Sequence, residues 1–185
     1  MHAFGLEVDS RISLLSFGAR TKLALLLALS RRPEVLVLDE PTTGLDPVSK
    51  QEVFGELLRA VEGGERSVLI SSHGLTDIER FADHVGMLKD GKLLLEGRTD
   101  EIVDRSRLAE FFTDTPVSAS AAPAGLVLLR HAGGRHHALL DQTSGAADWL
   151  RARDVRELSL TRLTLEDLFM ALVKENTPAA MEAVA

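Results

Sequence analysis

Cysteine is missing from all 185 residues, which excludes a disulfide framework and a thiolate metal site and fits a reducing compartment. An excess of basic charge is missing too. With 21 Lys and Arg against 28 Asp and Glu the formal charge is −7, so no broad positive field exists to hold a phosphate backbone, and no nucleic-acid partner is expected. Long apolar runs are absent: the longest, Leu23 to Leu29, falls far short of the about 20 residues that cross a bilayer. The first residues, Met-His-Ala-Phe-Gly-Leu-Glu, carry neither the basic nor the apolar region of a signal peptide. Any attachment to a membrane is therefore expected to run through a partner.

A further absence bears on chemistry. A phosphate-binding loop needs Gly-x4-Gly-Lys-Ser/Thr between a strand and a helix, because its backbone N–H groups cradle phosphates and its hydroxyl reaches Mg²⁺. Gly86-Met87-Leu88-Lys89-Asp90-Gly91-Lys92 has the spacing, but Leu93 follows where the hydroxyl belongs, and Asp90-Gly91 reads as a hairpin turn. The segment is rejected as a phosphate cradle.

What is present can bury a core, since 45% of residues are hydrophobic and 26% charged. Thr21 to Ser30 is rich in helix formers and apolar nearly all round, which predicts a buried helix ended by Arg31-Arg32-Pro33. Val35 to Leu38 predicts a buried parallel strand that delivers Asp39 and Glu40 to its carboxyl end, where α/β sheets bind ligands. Asp46 and Pro47 suit the N-cap and first position of a helix that carries Phe54, Leu57, Leu58 and Val61 on one face and stops at Gly63-Gly64. A second buried strand, Ser67 to Ser71, leads to His73, and strand-helix-strand order implies a right-handed parallel crossover. A short helix over Leu75 to Ala82, a hairpin of 85–88 and 93–95, and helical residues from Thr99 to Phe112 follow.

Thr115 to Gly125 reads as a linker. Beyond it come strands over 126–130, 136–140 and 155–160, a helix over 144–151 and a last helix opened by Thr164-Leu165-Glu166-Asp167, a ββαβα unit. The expected organisation is a partial ATPase-like domain over 1–114, a linker over 115–125, a small α+β domain over 126–176 and a loose tail over 177–185.

Several residues could carry chemistry. Adjacent carboxylates at a strand end divide two roles, Asp39 holding Mg²⁺ through its waters and Glu40 polarising a water for attack on a terminal phosphate. Ser16-Phe17-Gly18-Ala19 at a helix start offers free backbone N–H groups, a hydroxyl and the positive end of the helix dipole to a phosphate. His73 could donate an N–H to a terminal phosphate oxygen. For Asp46, capping and function stand as equal alternatives. Taken singly, each piece has an ordinary structural reading: a polar strand end, an N-cap, a polar terminus. His131, His136 and His137 do not suggest one metal site, because adjacent residues alternate faces on a strand.

Order and spacing decide between those readings. Leu15-Ser16-Phe17-Gly18-Ala19, then Val35 to Glu40, then Thr43-Gly44-Leu45-Asp46, then His73, resembles the back half of an ATP-binding cassette (ABC) nucleotide-binding domain over about residues 12 to 112. The resemblance implies a P-loop NTPase-like α/β fold lacking its N-terminal half. On it, Ser16 to Ala19 match the signature motif that clamps nucleotide in trans, Asp39 would support Mg²⁺ and Glu40 would act on the attacking water. By the same resemblance Asp46 would close the D-loop and His73 would be the switch histidine. Phe17-Gly18-Ala19 stands where the family has Gly-Gly-Gln, so the Ser16 hydroxyl and the Gly18 backbone are the contacts that carry over. No Q-loop glutamine can be placed, since Gln51 and Gln142 both lie downstream of the signature.

The stretch Leu163 to Leu172 is similar to the C-terminal end of ABC-2-type bacterial exporters. The implied ligands are ATP and Mg²⁺, and the implied partners are a second nucleotide-binding subunit and a membrane-spanning permease, with a cytoplasmic, peripheral location on the inner face of the membrane. Two other readings stand beside it: a non-enzymatic module that lends its signature face to another ABC subunit, and a fragment of a soluble ABC ATPase. The acidic balance and exporter-like tail weigh against the last.

Overall fold

The computed structural model describes residues 4–7, 9–115, 117–118 and 121–175. The chain divides into two compact units, Met1–Gly74 and Leu75–Ala185.

In the first unit a single 3₁₀ turn, Ile12–Leu14, precedes α1 (Phe17–Ser30), β1 (Val35–Asp39), α2 (Pro47–Val61) and β2 (Ser67–Ser71). The crossover is parallel as the sequence predicts, with Val35 opposite Ser67 and Asp39 opposite Ser71. α2 buries Val53, Phe54 and Leu57, but Leu58 faces outward. Gly64, at φ +71°, turns the chain after the helix and donates its N–H to Val61 O at 2.8 Å.

Two expectations fail here. Neither strand is buried: Val35, Val37 and Leu69 retain 63%, 68% and 64% exposure. A parallel sheet needs cover on both faces, and in this two-stranded sheet one face has none among the described residues. Nor is α1 a buried helix, since among its residues Leu25 alone is buried and Leu27 lies exposed. Its apolar surface runs all round, whereas α2, joined to it by the Lys22–Glu52 ion pair at 2.5 Å, meets one side.

The second unit begins with α3 (Leu75–Phe81) and the antiparallel hairpin β3 (His84–Lys89) and β4 (Lys92–Arg98). Asp90 and Gly91, at φ +50° and +74°, form its two-residue turn and confirm that the rejected Gly86–Lys92 segment is a hairpin. α4 (Thr99–Arg105) follows, then β5 (Ser106–Phe112), β6 (Leu126–Ala132), β7 (Arg135–Asp141), α5 (Ala146–Arg151), β8 (Arg156–Arg162) and α6 (Leu165–Glu175). From β6 to α6 the order is the expected ββαβα.

The expected helix over Thr99 to Phe112 is half wrong. It ends at Arg105, and β5 becomes a central strand in an antiparallel sheet of order β6-β7-β5-β8. Two-sided pairing to β7 and β8, with Ala109 and Phe111 fully buried, outweighs the helical propensity of this stretch. The expected break after residue 114 therefore does not divide the fold. Residues 75–112 share a core with the last helix, since Ile78, Val85, Met87, Leu95 and Ile102 cluster with Leu165, Leu168 and Leu172. α6 opens as expected on a capping box: Asp167 N donates to Thr164 Oγ1 at 3.1 Å and Thr164 N to Asp167 Oδ2 at 3.3 Å. The expected tail over 177–185 lies outside the described residues, as do 116, 119 and 120 of the expected linker.

Candidate functional site

The strand end, the turn after it and the loop after β2 converge on Glu40. Parallel register sets Asp39 beside Ser71, whose hydroxyl donates to Asp39 Oδ1 at 2.5 Å and accepts from Glu40 N at 3.0 Å. One hydroxyl thus ties the two acidic residues together. Glu40 itself leaves the strand in a left-handed conformation, φ +47°, uncommon for a residue with a long side chain and costly unless its surroundings hold it. They do: Thr43 N donates to Glu40 O at 3.2 Å, and Thr43 Oγ1 donates to Glu40 Oε2 at 2.7 Å. The same Oε2 lies 2.9 Å from His73 Nδ1.

This pairing of Glu40 with His73, 33 positions apart in the sequence, is the central fact of the site. The Thr43 hydroxyl, and after it His73, hold the Glu40 carboxyl below its usual pKa. Glu40 is therefore anionic at neutral pH. A carboxylate so stabilised is a weak base, better suited to orienting and polarising a water than to removing its proton outright. His73 is 77% exposed at its side chain, which leaves its second ring nitrogen open to an incoming group.

The remaining candidates lie at the starts of α1 and α2. Ser16 caps α1, its Oγ accepting from Ala19 N at 3.2 Å, and so engages its own helix rather than the carboxylates. Asp46 caps α2, with Oδ1 accepting from Val48 N and Ser49 N, both at 3.0 Å. The Ser49 contacts hold the Asp46 carboxyl low, so the capping alternative has its geometry in full. Gly18 approaches the turn closely: a β-carbon there would lie 3.3 Å from Leu45 Cδ2. Phe17 stands 60% exposed beside it.

Beside the His73 ring, the strand end gathers the oxygens of Asp39, Glu40 and the Ser71 and Thr43 hydroxyls, donors suited to a hard cation such as Mg²⁺. Among the described residues, however, no group of three or more His, Cys, Asp or Glu could enclose a metal. The donors fit support of a nucleotide-bound Mg²⁺ through water rather than a cage made by protein alone. In the second unit, His136 stacks on Phe111 with ring centroids 5.1 Å apart while His137 meets Glu110 at 3.3 Å, so the two histidines do take opposite faces of β7.

From sequence, Thr43 stood only as the first residue of the D-loop match and Ser71 only as a strand end, neither with a role toward the carboxylates. Ser71 was readable in principle, as a hydroxyl ending the strand that pairs with Asp39. Thr43 was not, because its contact depends on the left-handed backbone of Glu40.

Comparison with known proteins bears on the same stretch. YtrB, an ABC transporter ATP-binding protein of Bacillus subtilis, is 28% identical over 172 residues, which are 92% of this chain and 59% of YtrB. Over most of its length the chain is thus similar to an ABC transporter ATP-binding protein. A Nod factor export ATP-binding protein I of Bradyrhizobium diazoefficiens is 39% identical over 98 residues, 53% of this chain and 32% of that protein, so the ABC resemblance includes proteins of export. Against the solved structure of cbiO1 from Clostridium perfringens, part of the ABC transporter complex cbiONQ, identity is 31%, with 54% of this chain and 41% of that one covered and a TM-score of 0.48. A family model described as "AAA domain, putative AbiEii toxin, Type IV TA system" matches residues 4–75. The chain spans three fifths or less of the length of these relatives. No helix among the described residues is long and apolar enough to cross a membrane.

Proposed function

We propose that this chain is the signature-to-switch portion of the ATP-binding subunit of an ABC export system. The observation that carries the reading is the contact of Glu40 Oε2 with both Thr43 Oγ1 and His73 Nδ1, which joins the strand end, the turn and the post-β2 loop. Glu40 orients the water that attacks the terminal phosphate. Asp39, fixed by Ser71, faces the water shell of Mg²⁺, whose bound charge would neutralise the phosphate oxygens. His73 offers its free ring nitrogen to the transferred phosphoryl group. Ser16 to Ala19, at the positive end of the 14-residue helix α1, present a hydroxyl and backbone N–H groups to nucleotide held by a second subunit.

In this reading two nucleotide-binding subunits close on ATP, and their opening and closing bias a membrane-spanning permease between conformations from the cytoplasmic face. The exporter assignment draws on the Nod factor export relative and on the segment Leu163 to Leu172, whose Leu165, Leu168 and Leu172 form the buried face of α6.

Residues 1–185 contain no Gly-x4-Gly-Lys-Ser/Thr, so within them the carboxylates lack a cradle for the β-phosphate. That favours a second role for these residues on their own, as a module that completes the nucleotide site of another ABC subunit without turnover. Both readings meet one test. The chain is assayed for steady-state ATP hydrolysis alone and after fusion to an N-terminal ABC segment bearing the missing loop. The expected result is no turnover alone and turnover in the fusion, lowered by about 10²- to 10⁴-fold by Glu40→Gln with nucleotide binding retained. Turnover indifferent to Glu40→Gln would sink the hydrolytic role, and turnover by the unfused chain would sink the module reading.

A further inference from the structure

The resemblance places Phe17 where a glycine is usual, and the structure gives that exposed ring a contact of its own. It lies against Gly44, where a β-carbon would meet Phe17 Cε1 at 3.1 Å and two further ring atoms within 3.8 Å. Gly44 also holds φ +75°, so both its conformation and the ring above it require glycine. One residue on, Leu45 is buried against the close approach of Gly18. The start of α1 thus grips the turn at two successive residues. On the near side of that grip is Thr43, the donor to Glu40 Oε2 at 2.7 Å.

We propose that Phe17 is a positioning residue for Glu40, its ring seated on Gly44 so that the turn keeps the Thr43 hydroxyl on the Glu40 carboxylate. The route is short and continuous: ring to Gly44, peptide bond to Thr43, hydroxyl to carboxylate. It joins the helix start, where nucleotide from a second subunit would bear on Ser16, to the group that handles water. A phosphate that displaced the ring would loosen the turn and release Glu40 from Thr43. The Phe17 ring reaches Glu40 through the turn alone, while the backbone N–H of Phe17 stays among those that the start of α1 offers to nucleotide. The proposal rests on the reading of Glu40 as the water-orienting group.

The test is the chemical shift of the Glu40 side-chain carboxyl carbon, read by NMR at neutral pH on the whole chain without nucleotide, so it stands apart from any failure of the hydrolytic reading. Thr43→Val, which removes the donor, sets the position of the signal without that hydrogen bond. Phe17→Ala is expected to move the wild-type signal toward that position, whereas Phe17→Tyr, which keeps the ring, leaves it in place. In a Thr43→Val background, where the donor is gone, Phe17→Ala should add no further change. Gly44→Ala should move the signal the same way, while Gly64→Ala, with the same left-handed strain at φ +71° but nothing within 4 Å of its β-carbon, should not. An unchanged Glu40 signal in Phe17→Ala, or an equal change in the Thr43→Val background, overturns the proposal.

Discussion

Glu40 and Asp46 show how one chemical group, the carboxyl, can serve two ends within seven residues. Both carboxyls are held low, Glu40 by a side-chain hydroxyl and a histidine, Asp46 by Ser49 and the free amides of a helix start. The sign follows from the direction. A carboxyl whose folded pKa lies below its unfolded value stabilises the fold above the unfolded pKa and loses that contribution as pH falls through the folded one. For Asp46 the stabilisation is thus in place above its ordinary value of 3.8 and fades below it. Asn caps a helix about as well as Asp and does not titrate. Asp46→Asn should therefore melt close to the wild type at pH 7 and show a shallower loss of Tm below pH 4, whereas Asp46→Ala should lower Tm across the neutral range. Thermal melts by circular dichroism from pH 2.5 to 7 decide it, and an acid limb as steep in Asp46→Asn as in the wild type would remove Asp46 from the acid dependence. At α1 the corresponding change, Ser16→Ala, should cost about 1 kcal/mol in chemical denaturation, since the Ala19 N–H loses its acceptor.

Among elements, the sequence was most legible where local signals agree. Asp46-Pro47 opens α2, Asp90-Gly91 turns the hairpin and Thr164 caps α6, because each depends on a few adjacent residues. The carboxylate pair at the end of β1 was equally readable, since a strand's end follows from where its apolar run stops. Burial and long-range pairing were not. Val35 and Val37 read as core residues, yet side-chain chemistry alone does not say whether both faces of a sheet are covered. Ser106 to Phe112 read as helix, and only its pairing to β7 and β8, residues 23 to 55 positions away, makes it a strand. Its weight in the fold is open to measurement. Phe111 has no exposed surface and stacks on His136, so Phe111→Ala should cost about 3–5 kcal/mol in the second unit, read from urea unfolding followed at Trp149. A loss under 1 kcal/mol would mean that β5 is not the centre of this sheet.

On the scale of the whole molecule the two units differ in how completely they are built. The second encloses two hydrophobic clusters around a four-stranded sheet, with Leu95, Ile102, Leu139, Leu150, Leu165 and Leu168 at most 2% exposed. The first encloses Val53, Phe54 and Leu57 but leaves apolar residues on both strands and on α1 in solvent. Because opening free energy tracks buried apolar contact and cover over backbone hydrogen bonds, the units should not open together. Amides of β1 and β2 are expected to exchange with solvent well before those of β5 and β7, whose strands are paired on both sides. The consequence reaches function, since Asp39 and Glu40 are held by the register of β1 with β2 and lose their geometry when that pair opens. Hydrogen exchange at neutral pH, resolved by residue, should give protection of β5 and β7 at least about tenfold above β1 and β2, a difference of about 1.4 kcal/mol in opening free energy. Equal protection across both units would show that the chain opens as one body and that the carboxylate pair is as firmly held as the core of the second unit.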